Sequence, residues 1–110
     1  MATKHIFETE EVKSFVAKMS KASQRKYDVA LQTLRAEGRL RYPLGEKVSG
    51  YSNLFAIRIV TSDNERMFYC YALEDLVIIL HAYQKKTQKI PISEVHKALA
   101  VRDELLGGAS

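Results

Sequence analysis

Four cations and two aromatic side chains carry the chemistry that this 110-residue sequence offers: Arg58, Arg66, Lys85 and Lys86, with His81 and Tyr83 just ahead of the lysines. Guanidinium groups match phosphate oxygens bidentately and keep their charge at neutral pH. An imidazole, with an ordinary pKa of about 6.5, exchanges protons near neutrality, and a phenol can donate a proton or stack on a base. Gathered in one cleft, such groups suit metal-independent cleavage of RNA. The 2′-hydroxyl attacks the adjacent phosphate, cations stabilise the charge that builds on the phosphorane, and an acid protonates the departing 5′-oxygen. Arg58, Arg66, His81, Tyr83 and Lys86 are the candidate catalytic residues. Each also admits a structural role: an ion pair to Glu46, Glu65 or Glu74 for either arginine, a hydrogen-bonded place at the rim of the core for His81, and a sheet-edge position for Tyr83.

The wider charge pattern points the same way. Seventeen Lys and Arg against thirteen Asp and Glu leave a formal charge of +4. Arg39, Arg41, Lys47 and Arg58 form one basic block and Lys85, Lys86 and Lys89 another, with Glu46 the one acid inside them. Brought together by the fold, the blocks make a patch for a nucleic-acid backbone, with Arg39, Arg41, Lys47, Lys85 and Lys89 as RNA-binding residues. A solvated surface with lysines serving solubility is the plainer alternative. The sequence has no Gly-rich phosphate loop, no Cys or His spacing for zinc and no local Ser, His and Asp signature, so neither metal nor cofactor is expected. The lone Cys70, inside a strand-like run, reads as a buried, inert thiol.

The elements that must position these groups follow from periodicity. Leu76 to Leu80 is an unbroken apolar run of strand length, suited to a central strand covered on both faces, with the polar segment from His81 onward starting where it stops. Leu54 to Val60 alternates, placing Phe55, Ile57 and Ile59 on one face and Leu54, Ala56, Arg58 and Val60 on the other. Ser62, Asp63 and Asn64 turn the chain, and Arg66 to Tyr71 returns as a second strand, so three strands follow as a meander. Lys4 to Glu8 predicts a short edge strand. Thr9 caps a first helix from about Glu10 to Met19, and Ser20 or Ser23 caps a second, striped by Tyr27, Ala30, Leu31 and Leu34 and stopped by Gly38.

From Arg39 to Asn53 the chain reads as a connector broken by Pro43, Gly45 and Gly50. A last helix starts near Pro91, with Ser93 and Glu94 as cap and dipole complement, and runs to about Leu106; Gly107 and Gly108 end it before a frayed Ala109 and Ser110. The expected fold is α+β, a single domain over residues 1–110: an N-terminal helical hairpin, a curved antiparallel sheet of three to four strands and a C-terminal helix. No apolar stretch is long enough to span a bilayer and the N-terminus lacks a signal-peptide pattern, so the expected location is cytoplasmic with no membrane partner.

With these residues in place a resemblance emerges. LFAIRI, then RMFYCY, then VIILHAYQKKTQKIP and a following helix resemble the HigB-like, phage-type branch of the RelE/ParE toxin superfamily, over about Gly38 to Leu106. The most specific part is HAYQKKTQKIP, close to that branch's LHGFxKKTxKTP, with Ala82 for glycine, Tyr83 for phenylalanine and Ile90 for threonine. The resemblance implies a toxin of a type II toxin–antitoxin module, a metal-independent endoribonuclease that cleaves mRNA on the ribosome and so inhibits translation. Arg58 and Arg66 then match the sheet residues that hold the scissile phosphate, and Lys85 and Lys86 the basic pair after the last strand. His81 and Tyr83 fall where the superfamily places a variable acid, base or stacking residue. The implied partners are the ribosome with its mRNA and a cognate antitoxin of the helix-turn-helix, HigA-like kind. A gyrase inhibitor like the ParE branch and a non-catalytic RNA-binding module remain alternatives.

Overall fold

One nine-residue strand, paired on one side with the first strand of the chain and on the other with the strand just before it, holds the sheet together. The computed structural model describes residues 4–107, so the expected stop at Gly108 and tail at Ala109 and Ser110 lie outside the described residues. In chain order the elements are β1 (His5–Glu8), α1 (Glu10–Ala17), α2 (Lys21–Glu37), β2 (Gly45–Lys47), β3 (Phe55–Ile59), β4 (Glu65–Ala72), β5 (Leu76–Gln84) and α3 (Ile92–Leu105). The sheet has five strands in the order β1-β5-β4-β3-β2. β1 runs parallel to β5, and every other pair is antiparallel.

The expected antiparallel sheet of three to four strands is therefore corrected to a mixed sheet of five. The fifth strand is β2, inside the stretch expected to be a connector. It is only three residues long, and it packs so closely that a Cβ on Gly45 would collide with Leu40. The parallel pairing follows from the connection. After β1 the chain crosses through both helices and the β2–β4 meander before β5 returns alongside it, and parallel neighbours need such a long crossover.

Local signals fix the helices. Thr9 Oγ1 accepts the Val12 N–H at 3.2 Å and Ser20 Oγ accepts the Ser23 N–H at 3.1 Å, satisfying donors that the first helical turns leave free. Gly38, at φ 80°, ends α2 in the left-handed region and returns its N–H to the Leu34 carbonyl. α1 stops at Ala17, two residues short of the expected Met19. α3 starts at Ile92 with Pro91 at its cap position and no capping side chain, so Ser93 is a helical residue rather than the cap.

Both faces of the sheet are covered, as the apolar run in β5 requires. Ile57, Ile59, Met67, Tyr69, Val77 and Ile79 form one core with Val12, Tyr27, Leu31 and Leu34 of the helical hairpin. Ala56, Phe68, Cys70, Ile78 and Leu80 form a second with Val95 and Ala98 of α3. Removing one such fully buried chain, as in Ile79→Ala, costs about 2–5 kcal/mol by general experience. Cys70 is buried as expected, and burial pushes its thiol up to about 11. No helix among the described residues is long and apolar enough to cross a membrane.

A bulge in β5 decides where its polar end points. Phe68 pairs with His81 but Tyr69 pairs with Ile79, leaving Leu80 as the extra residue. Without it, strict alternation from Val77 and Ile79 would carry His81 and Tyr83 to the hairpin face. With it, Ala82 takes that face, while His81 and Tyr83 turn to the α3 face beside Phe68. β5 also runs four residues past the expected end at Leu80, so His81 and Tyr83 belong to the strand rather than to the segment after it.

Candidate functional site

Paired positions on three neighbouring strands build the site. Arg58 of β3 lies directly opposite Arg66 of β4, and Arg66 directly opposite Tyr83 of β5, so all three side chains share the α3 face. Arg58 is fixed from three sides. Its Nε sits 3.1 Å from Glu46 Oε2, one Nη donates to the Pro43 carbonyl at 2.7 Å, and its guanidinium lies 4.8 Å from the centre of the Tyr42 ring. The structural partner that strand arginines commonly find is thus present, and it comes from β2.

Arg66 is only 4% exposed and makes no direct ion pair among the described residues, Glu46 acting on it only at longer range. One Nη donates to the Glu65 carbonyl at 2.9 Å, and its Nε has no partner. Burial, then the neighbouring Arg58, lowers the pKa of this guanidinium from its ordinary value. The Tyr83 hydroxyl is likewise buried without a partner. Burial pushes its phenol up to about 12, the nearby Arg66 opposing the shift, so at neutral pH it remains a donor. Lys85 follows at the strand end, its N–H bonded to the Asn64 carbonyl at 2.7 Å, and burial followed by Arg66 pushes its ammonium pKa down.

These groups open into a cleft of about 540 Å³ lined by Arg58, Arg66, Lys85, Lys86, Thr87 and Gln88, with Asn64 and Val60 completing it. The structure therefore gathers Arg58, Arg66, Lys85 and Lys86, and sets Tyr83 behind Arg66. Lys47 and Lys89 line an adjoining hollow with Lys85. Arg39 and Arg41 lie elsewhere: both are exposed in the loop before β2, and the charge of Arg39 bears on Tyr71, which packs on the hairpin face.

His81 lies apart from the cleft lining. Its Nδ1 is 2.8 Å from Glu11 Oε1 and its Nε2 2.6 Å from Glu94 Oε1, so both ring nitrogens face carboxylates. Its ring stacks on Phe68 and Tyr83, with centroids 6.5 and 6.3 Å away. It thereby joins the first turns of α1 and α3 to β5. Sequence reasoning did not find Asn64 as a cleft residue, nor Glu11 and Glu94 as partners of His81. Thr87 and Gln88 stand inside the lysine segment; no local signal marks the two glutamates, which are 70 and 13 residues from the histidine. Among the described residues no group of three or more His, Cys, Asp or Glu side chains is placed to hold a metal ion.

The family described as phage derived protein Gp49-like (DUF891) matches residues 14–103. No curated protein sequence matches the chain. Among solved structures, an arginine mutant of the E. coli toxin RelE in the free state superposes with a TM-score of 0.67 at 15% identity, covering 91% of this chain and 97% of that one. The RelE of the archaeal RelE–RelB complex from Pyrococcus horikoshii OT3 gives 0.58 at 21% identity, over 76% of this chain and 96% of its own. At such identities the likeness establishes the fold, which is that of RelE. The matched residues take in the end of α1, all of α2, strands β2 to β5 with the cleft and nearly all of α3, in line with the resemblance carried by the lysine segment, and the chain belongs to the Gp49-like (DUF891) family, a HigB-like toxin family.

Proposed function

We propose that this protein is the toxin of a type II toxin–antitoxin module and cleaves mRNA, on the ribosome, without a metal ion. One observation carries the reading: the Arg66 Nε and the Tyr83 hydroxyl, two buried polar atoms without partners, stand at paired positions beside a cleft of cations. A buried unpaired donor costs about 1–3 kcal/mol, and an incoming phosphate oxygen relieves that cost. In the proposed reaction the 2′-hydroxyl attacks the adjacent phosphate while Arg58, Arg66 and Lys86 stabilise the charge on the phosphorane. Tyr83, held protonated, donates to the departing 5′-oxygen, the 2′ proton passes to water, and Lys85 adds positive charge to the cleft. His81 positions Tyr83 through their stacked rings.

The partner follows from the same reading. The archaeal relative was solved as a complex with RelB, and we assign this chain a cognate antitoxin, helix-turn-helix and HigA-like. The experiment is to map new mRNA 5′ ends in cells that express the protein. Wild type arrests translation and produces such ends; Arg66→Ala and Lys86→Ala do not. Arrest by those variants as strong as wild type would sink the site assignment. Inhibited DNA supercoiling with intact mRNA would transfer the protein to the gyrase-poisoning class.

A further inference from the structure

The cleft does not end at its phosphate-facing residues. Beyond Arg58 lies a groove of about 350 Å³ between α2 and β3, walled by Val29, Pro43, Leu44 and Val60 and rimmed by Arg25 and Lys26. It shares Arg58 and Val60 with the cleft. Beyond Lys85, on the other flank, lies a hollow of about 570 Å³ between residues 46–51 and the start of α3. Its walls are Val48, Tyr51, Ile90 and Ile92, and Lys47 and Lys89 stand beside them. This hollow shares Lys85 and Gln88 with the cleft. Three compartments thus run in series through shared side chains.

Their chemistry alternates. Cations occur in all three, whereas large apolar walls occur in the outer two. Val29 and Ile92, one in each outer compartment, keep 54% and 64% of their surface exposed, and so leave apolar surface open to a ligand on both flanks of the cleft. An extended strand of RNA carries the matching alternation of charged phosphate and flat apolar base. Resting on the RNA-cleaving reading above, we propose that the three compartments form one track for an unpaired RNA strand. One nucleotide, with the scissile phosphate at one side of it, lies in the central cleft, and the bases of the nucleotides before and after it lie against the apolar walls of the outer hollows. Exposed apolar surface also marks protein docking sites, but a protein partner would not require apolar hollows on both sides of a basic cleft.

The test is fluorescence anisotropy of the full chain with a labelled ribotrinucleotide, 2′-O-methylated to prevent cleavage, and with two analogues each lacking one terminal base. Loss of either base should weaken binding at least about fivefold, the lower end of the worth of one stacked base. Val29→Ser and Ile92→Ser, at exposed positions that leave the fold intact by thermal melting, should each weaken the intact trinucleotide. Each should be indifferent to the loss of one terminal base, and the two to opposite ends. The track is overturned if the analogues bind as tightly as the intact trinucleotide, if either variant weakens all three ligands equally, or if the trinucleotide does not bind. Unchanged binding in Val29→Ser would likewise overturn it and leave the groove to a protein partner. The cleavage reading fails separately: base-dependent binding with undiminished cleavage by Arg66→Ala would retain the track and reject the catalytic assignment.

Discussion

Arg58 and Arg66 face each other across β3 and β4, and Glu46 contacts Arg58 directly while reaching Arg66 only at longer range. Like charges at directly opposed strand positions repel, and here one of the two is buried. The fold tolerates this because β2 supplies Glu46 and because Arg66 opens into the cleft. The unpaired member of the pair is where an anion gains most.

Inorganic phosphate or sulfate should therefore raise the melting temperature of the wild type. At ten times its dissociation constant a single bound anion adds about 1.4 kcal/mol of stability. Arg66→Gln should lose most of that increment while melting no lower than wild type without the anion, since the variant removes a buried cation that makes no direct ion pair among the described residues. Differential scanning fluorimetry across an anion titration reads both. An equal increment in the variant would place the anion elsewhere.

Tyr83→Phe separates chemistry from packing. The hydroxyl has no partner among the described residues, so its removal should leave stability unchanged or raise it by about 1 kcal/mol. Cleavage should slow by about 10²- to 10⁴-fold, the usual contribution of a positioned acid. Urea melts and single-turnover cleavage on the same preparations give the two numbers, and full activity in the phenylalanine variant would remove Tyr83 from the mechanism.

The carboxylates on His81 make a graded prediction. His81→Ala should lower stability by about 1.5–3 kcal/mol, the range for hydrogen bonds to charged groups, because it leaves Glu94 without its closest partner and unties α1 from α3. Glu94→Gln should cost more than Glu11→Gln, as the Glu94 side chain is largely covered and that of Glu11 largely exposed. Denaturant midpoints order the three variants.

Alkaline pH should destabilise the fold in a defined window. Burial raises the pKa of Tyr27, Tyr69 and Tyr83 above their ordinary 10.0, the last to about 12. Below the ordinary value both states are protonated and stability is complete. Above it the unfolded chain releases protons first, and stability falls by about 1.4 kcal/mol per pH unit for each such group until its folded pKa is passed. Urea midpoints should stay level to about pH 9 and then decline; a level profile through pH 11 would contradict the buried, neutral phenols.

Short-range signals in the sequence were reliable where they had a local cause. Thr9, Ser20 and Gly38 mark helix ends because their side chains or backbone satisfy groups a few residues away, and the alternation around Arg58 gives the correct faces. The cation set was legible as residue types. Its geometry was not, because three long-range facts control it: the parallel return of β5 beside β1, the pairing of a three-residue β2 that glycine and proline disguise as a loop, and the bulge at Leu80. The bulge alone decides whether His81 and Tyr83 look toward Arg66 or away from it. Glu46 was recognisable as a possible partner of an arginine; which arginine it serves depends on β2 lying beside β3.

The central place of β5 also sets the order in which the molecule can be completed during synthesis. Its neighbours β1 and β4 are both made before it, yet β1 pairs with no other strand. Until β5 arrives, the nascent chain holds the N-terminal hairpin and the β2–β4 meander as two halves that lack their common strand. Arg58 and Arg66 are present by then, but Lys85 to Gln88, which make the other wall of the cleft, are not. The cleft therefore cannot be complete until β5 and the lysine segment after it have been made.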